Sequence, residues 1–118
     1  MRLEMNQTRD TLIVRAHGEM DLAVADQLRT EIDRRLDETP VRNLIIELAN
    51  VSFMDSSGLG VLLGRYKRIS RGGGKMALIR PQPQVRRVLE LSGITRIIGI
   101  YESDIEALKQ MPTNQGLK

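Results

Sequence analysis

The chain contains no cysteine and no tryptophan, one histidine, and only three aromatic residues in 118. Each scarcity removes a class of chemistry. Without cysteine there is no disulfide, no thiolate metal site and no cysteine nucleophile. One histidine, His17, rules out a histidine-rich metal centre. Phe53, Tyr66 and Tyr101 are too few to stack successive bases, which argues against single-stranded nucleic-acid binding. No apolar run approaches the ~20 residues of a membrane span, and the first ten residues, MRLEMNQTRD, lack the apolar stretch of a secretory signal. These absences predict a cytoplasmic protein with no membrane segment and no cofactor. The core must come from Leu, Ile, Val, Met and Ala.

The positive content fits one domain of modest core. Net charge is +3, but the basic residues are dispersed. Their densest pairs, Arg34-Arg35 and Arg86-Arg87, lie within amphipathic helical patterns and read as solvated faces, not a nucleic-acid footprint.

Periodicity sets the order of elements. Leu3–Met5 predicts a short antiparallel partner for TLIVRAH (11–17), whose alternation marks a half-buried strand. Ala25, Leu28, Ile32 and Leu36 form a helix stripe, with Asp21 as its expected N-cap and Thr39-Pro40 as its stop. NLIIEL (43–48) and KMALIR (75–80) read as core strands. Between them, Leu59, Leu62, Leu63, Tyr66 and Ile69 predict a second helix ending at the glycines 72–74, with Gly60 and Gly64 available for close packing. Pro83 opens a third helix closed by Gly93, RIIGI (96–100) predicts a last strand, and Ser103 with Glu106 forms a capping box for a final helix lined by Ile105, Leu108 and Met111. Residues 112–118 are expected to be a disordered tail. The order β-β-α-β-α-β-α-β-α is an α/β fold with a mixed, mostly parallel sheet. Sites in such folds gather where strands end in loops. Two candidates are His17–Asp21 and Met54–Gly58.

The second of these, within FMDSSGLG (53–60), places Asp55, Ser56 and Ser57 at the expected helix start. A serine nucleophile needs a base. The single histidine lies in a strand pattern, and the G-x-S-x-G elbow is missing, so no catalytic residue is expected. RGGGK (71–75) fails the phosphate-loop pattern, because Lys75 is followed by Met76 and a strand. Glu19, Asp21 and Asp55 suit helix starts better than a metal site, and no metal is expected. One cap residue suffices for a helix, so three in a row leave at least one hydroxyl unspent. A serine exposed at a helix start is a good phosphorylation site, and a phosphate beside Asp55 and Asp21 would build an acidic patch able to repel a docked partner.

The run Phe53-Met54-Asp55-Ser56-Ser57-Gly58-Leu59-Gly60-Val61, continuing to Gly64-Arg65-Tyr66-Lys67, resembles the phosphorylation segment of the anti-sigma factor antagonists. Gly18-Glu19-Met20-Asp21 is similar to their motif at the first helix. These proteins carry the STAS domain. The resemblance covers most of residues 3–111 and is strongest to the sporulation anti-sigma F antagonists. It implies a single STAS domain over 1–111, with about four helices mainly on one side of the sheet. It also implies a non-enzymatic module whose unphosphorylated form binds an anti-sigma factor serine kinase and frees sigma factor F. That kinase, which itself binds the ATP, would phosphorylate Ser56, and a serine phosphatase would restore it. The implied partner-contact set is Met20, Asp21, Asp55, Ser57, Gly58 and Leu59, with Ser57 and Gly58 shaping the loop. A general-stress antagonist and a nucleotide- or small-ligand-binding STAS module are the alternative readings.

Overall fold

In the computed structural model, which describes residues 1–112, five strands line up in the order β1-β2-β3-β4-β5. β1 (Arg2–Thr8) runs antiparallel to β2 (Thr11–Met20). β3 (Asn43–Met54), β4 (Met76–Ile79) and β5 (Gly99–Tyr101) continue the sheet in parallel. Helices α1 (Leu22–Glu38), α2 (Ser56–Arg71) and α3 (Pro83–Ser92) form the crossovers that parallel strands require, and α4 (Asp104–Lys109) comes after β5.

Alternation along the strands divides the core. Leu12, Val14 and Ala16 of β2 and Leu44, Ile46 and Leu48 of β3 face one way. They pack with Leu28, Ile32 and Leu36 of α1, Val61, Leu62 and Ile69 of α2, and Val85 and Leu89 of α3. Ile13, Ile45, Ala77 and Ile79 face the other way, against Ala107 and Met111. Three helices thus cover one face and one short helix the other. β4 is buried along its length, as are residues 43–48 of β3, which accounts for their lack of polar alternation. Each fully buried Leu or Ile contributes about 1.5–3 kcal/mol of hydrophobic stabilisation.

Several elements differ from the sequence expectation. β2 and β3 run on past His17 and Leu48 to Met20 and Met54. Their extension is mutual pairing, His17 with Asn50, Gly18 with Val51, Glu19 with Phe53 and Met20 with Met54, interrupted by register shifts. Those irregularities break the two-residue alternation on which the strand reading depended. Gly18–Met20 is therefore strand and not loop. RIIGI splits: Ile94–Arg96 is a 3-10 turn, and only Gly99–Tyr101 is strand. Ile94 and Ile98 are both buried in the larger core cluster and Ile97 is exposed, a pattern that a strand and a helical turn share, and the turn is closed by the Ile97 and Ile98 amides, which donate to the Ile94 carbonyl at 3.1 and 3.0 Å. Ile105 is 67% exposed, and the buried α4 residue is Ala107. Gly60 and Gly64 have no neighbour within 4 Å of an added Cβ, so neither serves close packing within the described residues. Ser103 Oγ accepts from the Glu106 amide as expected, but the Glu106 carboxylate reaches the Glu102 amide, one residue before the cap. Of the expected tail, Pro112 is tied down through its carbonyl, which accepts from Asn43 Nδ2 at 2.7 Å. Thr113–Lys118 lie outside the described residues.

Candidate functional site

Two adjacent parallel strands end in the same dipeptide, Met-Asp. β2 delivers Met20-Asp21 to the start of α1, and β3 delivers Met54-Asp55 to the start of α2. The Met20–Met54 register places both helix starts side by side, and the Asp55 amide donates to the Met20 carbonyl at 3.4 Å. The methionines are the anchors. Met20 is fully buried and Met54 nearly so, both in the larger core cluster. Met20 therefore offers no side chain to a docking partner, in contrast to its place in the expected contact set. Its contribution at this pole is the backbone carbonyl.

At the α2 start, Asp55 is the cap. Its Oδ1 accepts from the Ser57 amide at 2.9 Å and from the Gly58 amide at 3.3 Å, satisfying two of the free donors of the first turn. Gly58 is buried because the helix start leans on the end of β2. A Cβ there would sit 2.6 Å from the Met20 carbonyl oxygen and 2.9 Å from Met54 Cγ. Ser57 is half-buried, contributing its amide to the cap. Ser56 is exposed, and its hydroxyl has no hydrogen-bond partner among the described residues. Leu59 is half-buried and packs against the edge of the core. The loop thus divides its labour: Asp55, Ser57 and Gly58 build the turn, and Ser56 is held outward at its apex.

At the α1 start, Asp21 occupies the N-cap position with extended backbone but makes no side-chain cap hydrogen bond. The sequence expectation of a capping carboxylate is not met. Asp21 Oδ1 is buried with no partner among the described residues. Next to it, Leu22 is 76% exposed. Leu22 stands three residues before Ala25, in line with the Ala25–Leu28–Ile32–Leu36 stripe, so periodicity alone would bury it, and its exposure is decided by where the α1 start sits over the sheet.

A buried ion pair links the two helices behind their starts. Arg65 of α2 is 7% exposed, and its Nε lies 3.0 Å from Asp33 Oδ1 of α1. Arg68 reaches both Asp33 and Asp37. Burial pulls the Arg65 guanidinium below its ordinary pKa, and Asp33 opposes that shift.

His17 lies on β2, engaged with Arg2 and Glu4 of β1, and so is not placed as a base for Ser56. Among the described residues no group of three or more His, Asp or Glu side chains is arranged to hold a metal ion, and no helix is long and apolar enough to cross a membrane.

The arrangement has close counterparts. Residues 2–107 match the family model of the STAS domain. The anti-sigma F factor antagonist of Paenibacillus polymyxa is 40% identical over 111 residues, covering 94% of this chain and 95% of that protein. The solved structure of the anti-sigma factor antagonist SpoIIAA in its unphosphorylated form superposes with a TM-score of 0.79 at 31% identity, covering 92% of this chain and 95% of that one. The phosphorylated form of the Bacillus cell fate determinant SpoIIAA matches with a TM-score of 0.71 at 30% identity, over 92% and 98% of the two chains. With a mostly parallel five-stranded sheet, an exposed serine at the start of α2 and these relatives, the chain belongs to the STAS-domain family, in its branch of anti-sigma factor antagonists.

Proposed function

We propose that this protein is a partner switch controlling the sporulation sigma factor F. In its unphosphorylated form it docks on an anti-sigma factor serine kinase and displaces the sigma factor. The kinase, using ATP bound on its own surface, transfers phosphate to Ser56 and the complex falls apart. A serine phosphatase resets the cycle. The chain itself performs no catalytic step.

One observation carries this reading. Asp55 caps α2 alone, which leaves the Ser56 hydroxyl exposed and unpartnered at the apex of the loop. Phosphate there adds about −1.5 to −2 charges. Asp55 is the preceding residue and Asp21 sits at the neighbouring strand end, so the pole changes from weakly to strongly acidic within one interface. Leu22, exposed beside Asp21, supplies apolar contact area to the docked partner.

The test is phosphorylation by the cognate anti-sigma kinase and ATP. Ser57→Ala should still accept phosphate and Ser56→Ala should not. Incorporation into Ser56→Ala at the wild-type rate sinks the assignment. Ser56→Asp, with part of the phosphate's charge, should weaken binding to the kinase, and unchanged affinity would count against the electrostatic mechanism.

A further inference from the structure

A cavity of about 280 Å³ opens at the far end of the sheet from Ser56, beside the short edge strand β5. Its lining draws on α2, the residue before β4, β5 and the residues after α4. Along α2 it lies roughly 15–21 Å from the Ser56 turn, at 1.5 Å per residue. Five polar side chains line it: Tyr66, Ser70, Lys75, Tyr101 and Gln110. Tyr66 and Tyr101 are half-buried and Ser70, Lys75 and Gln110 stand exposed at its mouth, and none of the five side chains has a hydrogen-bond or ion-pair partner among the described residues, so all five donors are open to a ligand. No carboxylate lines the cavity, and Lys75 contributes a positive charge.

Gly99 gives a second reason to read the cavity as built. A Cβ on Gly99 would lie 2.7 Å from the Tyr101 hydroxyl and 2.9–3.0 Å from its ring. The missing side chain makes the room in which the phenol folds back along its own strand and into the cavity wall. Two of the chain's three aromatic residues therefore line one polar recess at the sheet edge, Tyr66 from the side of the larger core cluster and Tyr101 from the side of the smaller.

We propose that this recess is a binding site for a small oxyanion-bearing molecule, a phosphate ester or a carboxylate. Two phenols, a serine hydroxyl, a primary amide and an ammonium all supply donors, and an acceptor-rich anion uses them together. This inference is independent of the Ser56 switch, which lies at the opposite end of α2.

The chain carries its own reporter. It has no tryptophan, and its only two tyrosines line this recess, so intrinsic tyrosine emission reads the recess alone. The full-length protein is titrated with inorganic phosphate, glycerol 3-phosphate and succinate at constant ionic strength, with chloride as the reference. The expected result is a saturable emission change with at least one of the three and none with chloride. Lys75→Gln and Tyr101→Phe should each weaken it about ten-fold, the scale of one lost charge-assisted hydrogen bond. Free phosphate, the phosphate ester and the carboxylate are told apart by which of them saturates. Responses indistinguishable from chloride overturn the proposal. So does a saturable response that Lys75→Gln and Tyr101→Phe leave unchanged, or one that Ser56→Ala abolishes, since the anion would then sit at the α2 start.

Discussion

The starts of α1 and α2 are the same dipeptide used in two ways. Asp21 and Asp55 have nearly the same backbone, φ −113° and ψ −176° against φ −117° and ψ −169°. The difference lies in the side chain. Asp55 turns into its helix and takes two amide donors, whereas Asp21 takes none and leaves a buried oxygen unpartnered. The first helical residues differ as well. After Asp55 come two serines and a glycine, small enough for the helix to lean on β2; after Asp21 come Leu22, Ala23 and Val24. One carboxylate is committed to holding the loop in shape. Its neighbour is spared that duty, and a carboxylate with no structural task is what a recognition surface can use.

The contrast between the two helix starts depends on α1 and α2 keeping their alignment, and the Arg65–Asp33 pair is the lock. Asp33→Ala should have the largest effect, about 2–3 kcal/mol, because it leaves a desolvated guanidinium short of its counter-charge. Arg68, 3.5 Å from the same oxygen, loses a partner as well but keeps Asp37. Urea unfolding measures the loss. A change below about 0.5 kcal/mol would show that the pair does not tie the helices.

Gly58→Ala tests the close approach of the α2 start to β2. In a free helix alanine would gain up to about 1 kcal/mol over glycine. Here the new methyl meets the Met20 carbonyl, a backbone atom already engaged with the Asp55 amide, and overpacking of this kind costs about 1–3 kcal/mol. The clash should win, with a net loss of about 1–2 kcal/mol in the same assay. A stabilised variant would mean that the helix start can withdraw from the sheet.

Asp55→Ala removes the working cap. It should cost about 1 kcal/mol, the usual value of a lost N-cap, and lower Tm by about 4 °C for a chain of this length. A scanning calorimetry trace unchanged from wild type would contradict the role that the two hydrogen bonds give it.

Most of the architecture was legible because it rests on period and punctuation. The Leu28–Ile32–Leu36 stripe, the proline at the start of α3 and the glycines after α2 each act locally, so a linear reading finds them. The errors came where distant residues decide. Nothing within 18–20 or 49–54 announces that these stretches pair with each other across register shifts. At Ile94–Arg96 the apolar pattern suits a strand and a helical turn alike, and the assembled core decides between them. At the site, Ser56 was legible because a redundant run of cap residues is visible in one dimension. Which aspartate caps was not, since both sequences satisfy the same rule. Arg65 looked like part of a motif, and only the packing of α1 against α2 shows it as a buried anchor.

The smallest effect on stability separates the two aspartates most sharply. Asp21→Ala deletes a carboxylate with no cap hydrogen bond, and it removes a buried oxygen that costs desolvation without return. Its stability should stay within about 0.5 kcal/mol of wild type, against about 1 kcal/mol for Asp55→Ala. Its binding to the anti-sigma partner should nevertheless fall, because the carboxylate removed has no hydrogen-bonding duty at its own helix start and stands at the pole where the partner docks. Unfolding and binding measured on the same two variants therefore give opposite orders: Asp55→Ala is the less stable, and Asp21→Ala loses binding out of proportion to its stability. If Asp21→Ala proves as destabilising as Asp55→Ala, the carboxylate caps α1 in solution and the division of labour between the two helix starts is lost. If it is neutral in both measurements, Asp21 is idle, and docking at this pole rests on Leu22 and the Ser56 turn.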